Sequence, residues 1–219
     1  MTAAPRRRWI AIVLIAVAVA AVAFAVGRFS TFAASGPALP TTDSAEAGFA
    51  RDMQVHHAQA IDMAMTIHRK TADEDVRALA YDIATGQSAQ RGEMYDWLVK
   101  WGLPQSGGAP MAWMAASDAG HDHGFTSAEA MTAEEEREAM GMASPAELTA
   151  LAQAEGTAAD CLFLSLMIRH HEGAIPMADA VLELASDPRT LTVAESMRNG
   201  QQFEIDAMQA MQQRLSCAP

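Results

Sequence analysis

The feature that most constrains the fold of this 219-residue chain is an internal repeat with a fixed offset of 114 residues. The motif Phe-x3-Met-x2-His-His-x2-Ala-Ile-x-Met-Ala occurs at 49–64 and, without a gap, again at 163–178. The agreement extends to Met94 and Met208, so each unit is about 50 residues long. A chain that contains one unit twice is predicted to build the same element twice and to pack the copies together.

Each unit has the pattern of a helical hairpin. Four helices are predicted, over 44–69, 73–100, 157–185 and 188–216. Pro188 would then lie in a first helical turn, where proline is tolerated. Because two antiparallel hairpins make a four-helix bundle, the predicted domain over 43–217 is all-α and ferritin-like in architecture.

The connection between the hairpins, residues 102–156, has a different composition, with several glycines and prolines. It is predicted to be mostly loop, with two short helices. One is expected after a cap at Thr126 or Ser127. The other is expected to begin at Ser144-Pro145-Ala-Glu147, which has the form of a capping box with proline at the first helical position.

The N-terminus contains an apolar run without any charged residue from Trp9 to Gly27. A helix of about 19 residues nearly crosses a hydrocarbon core of about 30 Å, so one transmembrane helix is predicted over 9–27, ahead of the bundle. The arginines in 1–8 favour a cytoplasmic N-terminus. Residues 28–42 are then a linker, and the bundle lies outside the cytoplasm, on a single-pass protein of the cell membrane.

A cleaved signal peptide is the alternative interpretation of the same segment. Ala23-Phe24-Ala25 has the small-x-small form of a cleavage site. The apolar run is, however, longer than the usual signal core of about 7–15 residues, which favours the anchor. In either case the membrane is the first partner that the sequence indicates.

The charge of the chain argues against nucleic acid as a ligand, because the formal net charge is −12. Such a surface repels phosphate backbones. The export prediction permits disulfides, and Cys161 and Cys217 flank the second hairpin at its open end. A Cys161–Cys217 disulfide is therefore predicted, with two unpaired thiols as the alternative.

Histidine and methionine occupy the predicted core. On a helical wheel the histidines of each motif fall within the apolar stripe, together with methionines three or four residues before and six or seven after. The second helix of each unit likewise directs amides, a carboxylate and methionine inward. The predicted metal site or sites comprise Met53, His56, His57, Met63, Met94, Met167, His170, His171, Met177, Met208 and Glu204, supported by Gln87, Gln90 and Gln201.

The donor set points to copper. Thioethers suit Cu(I), and imidazole accepts both Cu(I) and Cu(II), whereas Mg²⁺, Ca²⁺ and Zn²⁺ bind thioethers poorly. The alternative is a metal-free core in which methionine is filler and each histidine is hydrogen-bonded to Gln87, Gln90, Gln201 or Glu204.

The connection offers a possible secondary metal site at His121 and His123. These histidines lie among Met111, Met114, Met131, Met140 and Met142, a composition found in soft-metal tracts. A solvated linker with incidental histidines is an equally open interpretation of this segment.

The duplicated motif, with Leu-Met-Ile-Arg-His-His-Glu-Gly-Ala at 166–174 and Gly-Met-Ala-Ser-Pro-Ala-Glu-Leu at 141–148, resembles the exported family called domain of unknown function 305. The resemblance covers residues 43–216 and implies a ferritin-like four-helix bundle outside the cytoplasm. It also implies copper binding or resistance as a role of some members. One departure is visible: the second copy keeps Gln201-x2-Glu204-Ile205, whereas the first has Gln90 and Arg91.

We expect no enzymatic activity. Ferritin-like oxidases use Glu-x-x-His pairs, and none occurs in this sequence. Hydrolase elbows, phosphate loops and dinucleotide motifs are also missing from it. A metal-free interaction module, or one that senses pH through its histidines, remains the alternative function, and a redox enzyme is a weaker one. The sequence does not indicate a protein partner.

Overall fold

The computed structural model describes residues 4–32, 38–118 and 132–218. Within these ranges every regular element is helical, which confirms the predicted all-α class. The chain divides into two compact parts, Met1–Leu39 and Pro40–Pro219. The N-terminal part contains helix α1 (Ala4–Phe32). Its segment Arg8–Arg28 has a mean hydropathy of 3.0 over 21 residues and is long and apolar enough to cross a membrane, a property that signal sequences share.

Four long helices dominate the C-terminal part, Pro40–Pro219. They are α2 (Ala45–His68), α3 (Glu74–Trp101), α6 (Gly156–Leu184) and α7 (Pro188–Leu215). Each end lies within one residue of the position predicted from the repeat. Three of the starts have a side-chain cap: Ser44, Asp73 and Asp187 each accept a hydrogen bond from the backbone N–H three residues on. Such caps satisfy amides that have no partner inside the helix.

The helices pack as two hairpins, α2 with α3 and α6 with α7, and α2 and α6 lie against each other at the centre. These central helices are antiparallel, because Glu46 at the start of α2 accepts hydrogen bonds from the backbone N–H groups of Ser186 and Asp187, beyond the end of α6. The outer helices are joined at one end by a bidentate Arg214–Asp73 pair. This arrangement is the predicted four-helix bundle.

The connection contains three short elements in its described parts. They are a 3-10 turn (Ala112–Ala116), α4 (Ala133–Ala139) and α5 (Pro145–Gln153). The predicted capping box of Ser144 and Glu147 is confirmed at the start of α5. The predicted cap at Thr126 or Ser127, the possible metal site at His121 and His123, and residues 33–37 of the linker lie outside the described residues.

Residues 111–117, which we call the strap, are fastened to α2. Asp52 accepts hydrogen bonds of 2.8 Å from both the backbone N–H of Met111 and the indole N–H of Trp113. The Trp113 ring covers Gly48, where a Cβ atom would lie 2.3 Å from ring carbons. Glycine is therefore required at this position of α2. The strap inserts Met111 and Met114 into the core.

A second segment of the connection, residues 140–143, is held between the two central helices. Gly173 of α6 approaches it so closely that a Cβ atom would lie 2.1 Å from the Met140 carbonyl oxygen. The Gln59 side chain on α2 exchanges two hydrogen bonds with the backbone of Ala143, of 2.6 and 2.9 Å. Gln59 and Gly173 are equivalent positions of the repeat, but one binds this segment through its side chain and the other through close backbone contact. The connection therefore breaks the symmetry of the two hairpins.

The predicted disulfide is confirmed. Cys161 near the start of α6 is bonded to Cys217 beyond the end of α7, with the two Cα atoms 5.4 Å apart. It closes the open end of the second hairpin. The equivalent positions of the first hairpin, Ala47 and Leu103, are not cysteine.

Candidate metal centre

The four motif histidines lie in the interior of the bundle, where α2 and α6 meet. The side chains of His56, His57, His170 and His171 are all 0% exposed. His56 and His170, which are equivalent in the repeat, have ring centroids 3.6 Å apart and ring planes tilted by 33°. Within each helix the two ring centroids lie farther apart, at 6.4 Å for His56 and His57 and 6.2 Å for His170 and His171. The antiparallel packing of two equal helices therefore brings both His-His pairs into one layer.

Every one of these rings directs Nε2 at an oxygen acceptor. The acceptors are the Met140 carbonyl for His56 (3.0 Å), Gln90 Oε1 for His57 (2.8 Å), the His56 carbonyl for His170 (3.1 Å) and Glu204 Oε2 for His171 (2.6 Å). These oxygens can only accept, so Nε2 donates in each case. In a neutral ring, Nδ1 then carries the lone pair.

The Nδ1 atom of all four rings is buried and has no hydrogen-bond partner within the described part of the chain. Burial lowers the pKa of His56 to about 3 and that of His57 to about 4, and it lowers the pKa of His170 well below its ordinary value. The rings of His56, His57 and His170 are therefore neutral at physiological pH. A buried polar atom without a partner costs roughly 1–3 kcal/mol and is rare enough to require an explanation.

The six predicted methionines are buried as well and form two sets. Met53, Met94 and Met177 belong to one buried cluster, and Met167, Met208 and Met63 belong to another. The offset of 114 residues converts the first set into the second, with Met63 and Met177 exchanged between hairpins. Each set thus takes two methionines from one hairpin and one from the other.

Each set has its own histidine. Met53 precedes His57 by one helical turn, and Gln90, which binds His57, precedes Met94 by one turn. The same relations connect Met167, His171, Glu204 and Met208. We call these regions the His57 half and the His171 half.

Four methionines of the connection lie in the core and not in an exposed loop, while Met131 lies outside the described residues. Met111, Met114, Met140 and Met142 are at most 7% exposed and belong to the cluster of the His57 half. Sequence periodicity could not reveal this, because the strap and residues 140–143 reach the core through contacts with distant helices. The backbone acceptors for His56 and His170 also have no local sequence signal, because each lies on a different segment of the chain from the ring that it binds.

The predicted supporting residues lie at the edges of this interior. Gln87 and Gln201 are buried, and both side-chain polar atoms of Gln87 and Oε1 of Gln201 are among the buried atoms without partners in the described residues. Gln90 and Glu204 are partly exposed and bind the histidines directly. These unpaired amide groups, together with the unpaired imidazole nitrogens, make this interior unusually polar for a bundle core.

In the described ranges, no three side chains from histidine, cysteine, aspartate and glutamate converge as a group that could hold a metal ion. Thioether sulfur is the other kind of donor that this interior offers to a metal ion, in addition to imidazole nitrogen. The unpaired Nδ1 atoms and the buried methionines supply both kinds of donor, which fits copper better than Zn²⁺ or Mg²⁺.

The fold and interior together define a class of protein: two repeated helical hairpins that enclose histidine and methionine side chains. The chain belongs to the family described as domain of unknown function, DUF305, whose sequence profile matches residues 46–212. This confirms the resemblance seen in the duplicated motif.

Several solved structures that are similar to this chain share its fold. A DUF305 protein of Streptomyces coelicolor is 36% identical, with a TM-score of 0.68 over 81% of this chain and 96% of its own. A DUF305 fragment from Deinococcus radiodurans is 31% identical, with a TM-score of 0.62 over 78% and 96%. CopM in its Cu(II)-bound form is 26% identical, with a TM-score of 0.56 over 78% and 97%. Among curated proteins, no sequence matches the chain.

Proposed function

We propose that this protein binds copper in the interior of its bundle, through imidazole Nδ1 and methionine sulfur. The observation that carries the proposal is the set of four buried Nδ1 atoms without partners, held in one tautomer by the acceptors at Nε2. A metal ion would satisfy these lone pairs. The acceptors at Nε2 are the usual outer contacts of metal-bound histidine, which orient the ring and raise its basicity.

The predicted ligands are the motif histidines and the two methionine sets, with Glu204, Gln87, Gln90 and Gln201 around them. Glu204 would act mainly through His171, since its Oε2 already accepts the ring N–H. CopM, the structural relative described above, is known in a Cu(II)-bound form, which supports copper as the metal. Copper binding without catalysis is the activity that we propose.

The proposed location is the outer face of the cell membrane, with α1 as an uncleaved single-pass anchor. Arginines precede the apolar segment, and the positive-inside rule then directs the bundle out of the cytoplasm. The Cys161–Cys217 disulfide is compatible with this location, because oxidising compartments preserve such bonds.

The proposal is tested by the copper affinity of the full-length protein, prepared without an affinity tag and held in detergent. Cu(I) is titrated against a chromophoric chelator, with Zn(II) measured in parallel. We expect Cu(I) to bind more tightly than Zn(II). Replacing His170 and His171 with alanine should remove most of this affinity, whereas replacing His121 and His123 should change it little.

Because alanine at His170 and His171 leaves cavities and unpaired groups, a gentler variant is needed. Met53→Leu with Met167→Leu nearly conserves volume and removes one sulfur from each half. Met65→Leu is the matched control, since Met65 is a partly buried methionine outside both sets. Circular dichroism verifies the fold of each variant. Undetectable Cu(I) binding by the folded wild-type protein would refute the proposed function.

A further inference from the structure

The two halves of the interior differ in the residues that support their histidines. His57 donates to the neutral amide oxygen of Gln90 at 2.8 Å, whereas His171 donates to the Glu204 carboxylate at 2.6 Å. Gln90 and Glu204 are equivalent positions of the repeat. The same hydrogen bond is therefore made to a neutral group in one half and to an anion in the other.

The adjacent position increases this difference. Arg91 follows Gln90 at an exposed position of α3, and its positive charge disfavours further positive charge on His57. Its counterpart in the His171 half is Ile205, a buried apolar residue. The supporting pair therefore carries a formal charge of +1 beside His57 and −1 beside His171.

The number of buried methionines also differs between the halves, and it is larger in the His57 half, which lacks the carboxylate. The cluster of the His57 half contains eight buried methionines: Met53, Met94, Met111, Met114, Met140, Met142, Met177 and Met197. The cluster of the His171 half contains three, Met63, Met167 and Met208, with Met65 and Met211 packed against it. Four of the additional sulfurs in the His57 half come from the connection, which has no counterpart in the repeat.

We propose that the two halves prefer different oxidation states of copper, with Cu(I) in the His57 half and Cu(II) in the His171 half. This inference rests on the proposed copper function. Thioether sulfur stabilises the soft monocation, and a neutral or positive surrounding tolerates a single charge better than two. A carboxylate that polarises an imidazole makes it a more basic donor and compensates the additional charge of a buried dication.

The test exchanges the two supporting residues. Glu204→Gln gives the His171 half the amide of the His57 half, and Gln90→Glu does the reverse. Glu195→Gln, the same chemical change at an exposed position of α7, is the matched control. For each full-length variant, Cu(II) and Cu(I) affinities are measured separately by chelator competition, and electron paramagnetic resonance reports the nitrogen donors of bound Cu(II).

We expect Glu204→Gln to weaken Cu(II) binding by about 10-fold or more, the usual effect of losing an outer hydrogen-bond partner, and to change Cu(I) binding by less than about 3-fold. Gln90→Glu should strengthen Cu(II) binding, and the control should leave both affinities unchanged. Equal changes in the Cu(I) and Cu(II) affinities, or no change in either, would overturn the inference while leaving copper binding intact. A wild-type protein that binds neither ion would overturn the proposed function as well.

Discussion

At the scale of single residues, the interior depends on four buried imidazoles that each direct Nε2 at an oxygen acceptor. A carbonyl, an amide or a carboxylate oxygen at each Nε2 selects one tautomer, and the bundle removes the other nitrogen from water. The positions of these rings on the core stripe could be predicted from periodicity alone. Their stacking and their backbone acceptors could not, because both depend on how α2 crosses α6.

The buried histidines should make the apo protein sensitive to acid. In the unfolded chain a histidine titrates near 6.5, whereas burial lowers the pKa of His56 to about 3 and of His57 to about 4. Below about pH 6.5 the unfolded chain therefore binds more protons, and the free energy of unfolding falls as the pH falls toward about 4. Each such ring contributes a slope of up to about 1.4 kcal/mol per pH unit.

Urea denaturation of the metal-free protein between about pH 7 and about pH 5 measures this slope. The His56→Gln variant is expected to be less stable near pH 7 but to lose stability less steeply on acidification. If the two curves run parallel, the assignment of the acid sensitivity to His56 is incorrect.

At the scale of helices, the repeat and the caps were sufficient to predict the bounds of α2, α3, α6 and α7 to within one residue. The connection was less predictable. Its short helix α5 has a local signal in Ser144 and Glu147, but the strap and residues 140–143 have none. Their positions depend on close contacts with Gly48 and Gly173, and nothing in the sequence distinguishes these two glycines from other glycines in helices.

Replacing a glycine of the long helices with alanine should raise or lower the free energy of unfolding, depending on the position. Gly173→Ala places a Cβ atom against the Met140 carbonyl oxygen, so we expect it to destabilise the bundle and to displace residues 140–143. Gly86 and Gly200, equivalent positions of α3 and α7, have nothing within 4 Å of a new Cβ atom. Alanine there should raise the free energy of unfolding by about 0.5–1 kcal/mol.

Chemical denaturation of the three single variants distinguishes these effects, with Gly86→Ala and Gly200→Ala as internal controls. A Gly173→Ala variant as stable as the other two would mean that the close approach of residues 140–143 to α6 is not maintained in solution.

At the scale of the whole molecule, the two hairpins are fastened differently. The second is closed by Cys161–Cys217, which lie 56 residues apart in the chain, whereas the first depends on packing and on the strap. Removing the disulfide should lower the free energy of unfolding by about 4 kcal/mol in the chain-entropy estimate for a loop of this length. The outer ion pairs, such as Arg214–Asp73, are partly exposed and should contribute about 1 kcal/mol or less each.

The Cys161→Ser, Cys217→Ser double variant, compared with the oxidised wild type by thermal and urea denaturation, tests this estimate. Reduction of the wild type with a thiol should lower its stability to nearly that of the double variant. Equal stability of the oxidised wild type and the double variant would show that packing alone holds the second hairpin closed.

The exchange of Met63 and Met177 between the hairpins has a consequence for mechanical behaviour. Neither half draws all of its sulfur from one hairpin, so an ion held by a complete set of donors would act as a cross-link between α2–α3 and α6–α7. Its binding free energy would add to the contact between the hairpins. Metal binding would then increase the mechanical stability of the bundle. The metal-bound form would resist proteolysis and forced separation of the hairpins, whereas the metal-free form would open first where α2 contacts α6.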